Sequence, residues 1–93
     1  MKRTDALATR TAAHPRRWRD EDGEHIDVRG LPPPEPLVEI LRLVGSLGNG
    51  TAAIVHHDRD PVLLYPELAQ IGWWAERIPG DPGEVRLRLA HSP

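Results

Sequence analysis

Apolar residues recur with a helical period in one long stretch and with a two-residue period in several short ones. Leu37, Ile40, Leu41 and Val44 fall at i, i+3, i+4 and i+7, with Glu35, Glu39, Arg42 and Ser46 opposite. That spacing predicts an amphipathic helix from Glu35 to about Leu47. Pro34 and Pro36 suit its first turn, where a missing N–H costs little, and Gly48-Asn49-Gly50 stops it. Alternation predicts the strands. From His25 to Arg29, Ile26 and Val28 share one face; from Glu84 to Leu89, Val85, Leu87 and Leu89 oppose Glu84, Arg86 and Arg88. Thr51–His57 and Trp73–Ile78 read as two more strands. The mixed alternation of the latter predicts an edge strand with one tryptophan partly exposed. A short helix is expected to start near Tyr65-Pro66 and to bury Leu68 and Ile71 before Gly72 ends it.

The resulting order is β-α-β-α-β-β. Right-handed crossovers place both helices on one face of a mixed, four-stranded sheet. The expected fold is therefore an α/β (α+β) two-layer sandwich, its second sheet face polar and open. It occupies residues 24–92. Residues 1–23 show no apolar stripe and read as a disordered basic tail.

Length and composition change this picture little. Ninety-three residues suit one domain, and with no Phe and few other aromatics, aliphatic side chains must supply most of the burial. Charge matters more. Residues 1–19 hold six basic side chains against Asp5 alone, a formal +5, whereas the remainder carries −7. No stretch approaches the ~18–20 apolar residues of a membrane helix, and no apolar region follows the basic start. A cytoplasmic protein is the expectation, with no membrane partner.

There is no cysteine, which excludes disulfides, thiolate nucleophiles and persulfide intermediates. No Ser/His/Asp spacing or Gly-rich phosphate loop is present, so an enzyme is not expected. His56, His57, Asp58 and Asp60 form the one dense set of metal-capable side chains, with His56 and His57 the candidate metal ligands. On a strand these two histidines point to opposite faces, and no sequence-distant further ligand is identifiable. Arg16, Arg17, Trp18 and Arg19 are the candidate nucleic-acid contacts, in loose, salt-dependent binding. The acidic remainder weighs against nucleic acid as the main partner. An anion at the Pro33–Leu37 helix start is disfavoured, because two prolines remove donors and Glu35 repels.

The run Ile26-Asp27-Val28-Arg29-Gly30-Leu31-Pro32-Pro33-Pro34-Glu35-Pro36 resembles the TusA/SirA family, in which a similar motif carries a cysteine into the first helix. Asp27, Arg29, Gly30, Pro34, Glu35 and Pro36 match that motif, and Pro33 stands where the family has its sulfur-carrying cysteine. The proline-rich stretch, His56-His57-Asp58-Arg59-Asp60-Pro61, Leu63-Leu64 and Gly72-Trp73 are more similar still to the bacterial domain of unknown function 2249 family, an offshoot of that group. The resemblance implies a scaffold that keeps its architecture without its sulfur chemistry. It also implies a context beside hemerythrin-like or other metal and redox proteins.

The expected function is a non-catalytic binding or adaptor module with a protein partner, contacted through His56, His57, Asp58, Asp60 or Trp73. No cofactor is expected. The alternatives are a small metal- or haem-binding protein using the His56-His57 turn, and an accessory nucleic-acid binder using the tail. An exposed edge strand allows a monomer or a weak homodimer.

Overall fold

The computed structural model describes residues 15–48 and 50–92, so the first fourteen positions of the expected tail and Asn49 of the helix stop lie outside the described residues. Seven elements follow one another: β1 (Arg16–Asp20), β2 (Gly23–Asp27), α1 (Glu35–Gly45), β3 (Ala53–His57), α2 (Leu64–Gln70), β4 (Trp73–Ile78) and β5 (Val85–His91). The sheet runs β1-β2-β3-β5-β4, with β2 and β3 parallel and the other neighbours antiparallel. Both helices pack into one apolar cluster with Ile26, Val55, Leu87 and Leu89 of the sheet. Among the described residues, no helix is long and apolar enough to cross a membrane.

The sheet has five strands, not four. The extra one is β1, formed by residues expected to belong to the tail and paired antiparallel to β2 from Arg16↔Asp27 to Asp20↔Gly23. Its hold is not an apolar stripe. Trp18 stacks on His25 across the pair, ring centroids 4.8 Å apart and planes 16° from parallel, on the sheet face away from the helices. Asp20 Oδ1 accepts the Asp22 N–H at 2.8 Å, shaping the turn back into β2. Trp18→Ala is expected to cost about 1–2 kcal/mol, combining lost burial with lost stacking. Hydrogen exchange should show the Arg16–Asp20 amides losing protection before the rest of the sheet.

Three further expectations are corrected. The buried stripe of α1 is Pro36, Ile40, Leu43 and Val44, with Leu37 and Leu41 at its partly buried margin. Ile71 caps α2 and is 49% exposed, because the helix ends at Gln70 and Ile71 already leaves the helical path; Leu64 and Leu68 do the anchoring. The outer sheet face is polar but closed at its centre, where His25, His56 and Glu84 are all buried. The edge position of β4 does agree with its mixed pattern: Trp73 is buried and Trp74 is partly exposed.

Candidate functional site

The segment leaving β2 is organised by Asp27. Its carboxylate takes the Arg29 guanidinium in two bonds of 2.9 and 2.8 Å and the Arg29 N–H at 3.1 Å. The bound guanidinium holds Asp27 below the usual carboxylate range. Gly30, at φ 86°, turns the chain and donates its N–H to Asp58 Oδ2 at 3.2 Å, tying the end of β2 to the end of β3. Pro33, Pro34 and Pro36 then lead into α1. The first free donor of that helix is already engaged, since the Glu35 N–H bonds to Pro32 O at 2.9 Å, and Glu35 itself is exposed.

Between this segment and the approach to α2 lies an apolar cleft of about 220 Å³, walled chiefly by Leu31, Pro33, Pro36, Leu37, Val62 and Leu63 and bordered by the exposed Arg59 and Asp60. His57 also lines it, although its side chain is only 4% exposed. The ring's Nδ1 accepts the backbone N–H of Asp58 at 2.9 Å and of Arg59 at 3.3 Å. Asp58 Oδ1 also lies 3.2 Å from Nδ1. Burial pushes His57 below its ordinary value, against the pull of Asp58, which keeps the ring neutral.

The opposite face of the sheet holds a different arrangement. His25 Nδ1 and His56 Nε2 lie 2.8 Å apart; His25 Nε2 is 2.9 Å from Asp20 Oδ1, and His56 Nδ1 is 2.6 Å from Glu84 Oε2. Glu84 also receives Arg86 Nε at 2.9 Å and its terminal nitrogen at 2.8 Å, and the Asp81 N–H at 2.9 Å. Trp18 covers both imidazoles. Arg86 is foremost in holding Glu84 at about 2, joined by the Asp81 N–H and His56 against the opposing effect of burial. Burial pushes His56 down although Glu84 pulls it up, so His56 is the neutral member, donating from Nδ1. Its Nε2 must then accept.

These two regions differ in what they leave over. In the outer network each ring nitrogen and each bridging carboxylate is engaged by a neighbour. Such a closed circuit fastens β1, β2, β3 and the loop before β5 to one another and offers nothing to a ligand. In the cleft, Nε2 of His57 has no partner among the described residues. His57 lines the cleft, and among the described residues no enclosed side-chain nitrogen or oxygen lacks a partner.

A family model described as "Uncharacterized conserved protein (DUF2249)" matches residues 25–91. The chain belongs to this family. No curated protein matches it. In this DUF2249 domain the matched stretch begins at His25, inside β2, so β1 lies ahead of it and the motif, the cleft, His56 and Glu84 lie within it.

The predicted site residues separate on the fold. His56 and His57 are consecutive on β3 and do not share a site: one enters the outer network and the other lines the cleft. Asp58 is taken by Gly30, and Asp60 accepts the Tyr65 hydroxyl at 2.5 Å. Burial, then this bond, pushes the phenol up to about 12. Trp73 is core, edge-on to His91, so it is not open to a partner. Along β1 the basic residues split between faces: Arg16 lies over Trp18, whereas Arg17 and Arg19 alternate to the other side, with Arg19 paired to Glu24. They form no single basic patch. Among the described residues, one group of three could hold a cation: Asp20, Asp22 and His25. There Asp20 Oδ1 is already held by the Asp22 N–H and by His25.

Proposed function

We propose that this domain is a non-catalytic binding module on a TusA/SirA-like scaffold, docking a protein partner at the cleft between the starts of α1 and α2. The observation that carries this reading is Pro33. It occupies the position where the resemblance places a cysteine, and it walls an apolar cleft instead of presenting a nucleophile. Val62 and Leu63, 62% and 71% exposed, extend that apolar surface beyond the cleft. Exposed aliphatic groups clustered at a concave site are a usual mark of a protein contact. The implied context of hemerythrin-like or other metal and redox proteins makes a protein of that kind the expected partner.

The test is affinity capture from an extract of the native cell, using the full chain and a Leu63→Asp variant. A discrete partner retained by the wild-type chain should be reduced at least about tenfold by the variant, whose carboxylate would have to be desolvated at the contact. Metal and haem analysis of the captured protein then tests its class. Equal capture by both chains would remove the cleft from the interaction.

A further inference from the structure

The cleft stands at the end of the sheet where the chain enters β1. That strand runs antiparallel to β2, and Arg16 pairs with Asp27, the last residue of β2. The residues ahead of Arg16 therefore arrive beside the segment that leaves β2 for Leu31 and the cleft wall. Leu31 follows Asp27 by four residues, which keeps it within about 20 Å of Arg16. Leu7 precedes Arg16 by nine residues, a length of chain that spans up to about 30 Å. Residues 1–14 can thus reach the cleft from the point where they join the sheet.

Charge and side-chain size suit them to it. The cleft is drawn from residues 31–37 and 57–64, in which Glu35, Asp58 and Asp60 are exposed and Arg59 is the only arginine or lysine. Arg59 is turned onto Asp58 at 3.4 Å, and the neighbouring Arg29 is bound by Asp27. An acidic segment would be repelled here and a basic one attracted. Residues 1–14 carry Lys2, Arg3 and Arg10 against Asp5, and Leu7 stands between the small Ala6 and Ala8.

Resting on the reading of the cleft as a docking site for a protein, we infer that residues 1–14 of this chain occupy it while the partner is absent, with Leu7 against its apolar walls and the basic side chains beside its exposed carboxylates. The cleft, of about 220 Å³, has room for one leucine side chain with its adjoining backbone. Attachment to β1 holds the segment at an effective concentration of about a millimolar, so a weak contact is enough to keep it there. The partner then has to displace Leu7, and residues 1–14 regulate access to the site.

The test is NMR on the full chain, comparing wild type with Leu7→Asp, followed by affinity capture of the partner with the same two chains. In wild type, Leu7 methyls should show contacts with the methyls of Val62 and Leu63. Leu7→Asp should abolish them, shift the amides of Leu31, Leu37, Val62 and Leu63, and raise capture roughly threefold to tenfold. No such contacts, with identical cleft amide shifts in both chains, would overturn the inference and leave the docking reading standing. Contacts that fade on dilution would overturn it in favour of a second copy of the chain. Capture unchanged or lowered by Leu7→Asp would overturn the regulation, the lowered case by making Leu7 part of the partner contact. Leu7 contacts in a chain whose capture is indifferent to Leu63→Asp would keep residues 1–14 in the cleft and remove the docking reading instead.

Discussion

Glu84→Ala is expected to cost about 3 kcal/mol or more of folding stability, the largest effect of a single substitution outside the apolar core. The side chain is 1% exposed and engages His56, Arg86 and the Asp81 N–H. Its removal leaves a partly buried guanidinium and a buried imidazole N–H without their partner. Glu84→Gln should fall in between, since an amide keeps the shape and one acceptor but not the charge. The same carboxylate predicts acid sensitivity. In the folded chain it titrates at about 2, against 4.5 for an ordinary glutamate. Its folded value is depressed, so its contribution is complete above about pH 4.5 and disappears as the pH falls toward 2. His56 acts earlier and in the same direction: its folded value lies below the ordinary 6.5, so the unfolded chain gains a proton first and stability begins to fall below that pH. Urea unfolding at pH 7 and pH 3 should therefore show a gap of roughly 2–3 kcal/mol in the wild-type chain, clearly reduced in Glu84→Ala.

The second large effect is expected at Gly23. Its φ of 135° lies where side chains are strained, and a Cβ there would run into the backbone carbonyl of Ala52. That carbonyl cannot step aside, because it accepts the Glu24 N–H at 3.0 Å and so holds the start of β2 against the start of β3. Gly23→Ala should cost roughly 2–4 kcal/mol and release the β1–β2 turn. Gly30→Ala is the matched control. Its φ is also positive, but nothing lies within 4 Å of the added carbon, so only the backbone preference of about 1 kcal/mol applies. Thermal unfolding of the two variants separates collision from conformation, and equal losses would show that the contact with Ala52 is relieved at little cost.

α1 and β5 were legible because their burial is periodic. Ile40 and Val44 sit one helical turn apart, and Val85, Leu87 and Leu89 alternate, so each announces a face within its own segment. The opposite orientations of His56 and His57 were legible for the same reason. Glu84 was not. It continues the outward positions of β5, and nothing local shows that β2 and β3 bring two imidazoles and β1 a tryptophan over that face. β1 was hidden in the same way, since Arg-Arg-Trp-Arg-Asp has no apolar face of its own.

The sequence by itself determined the order of the helices and the four later strands, the apolar core they share, and the absence of thiol chemistry. These follow from residue spacing and identity along short stretches of chain. Only the tertiary structure decided that β1 joins the sheet, that Glu84 is buried, and that His57 lines the cleft while His56 enters the outer network. A side chain such as Trp18 or His57 acquires its partners from segments tens of residues away. Whether a polar group is satisfied, or left to meet a ligand, is a property of those meetings and not of its neighbours in the chain.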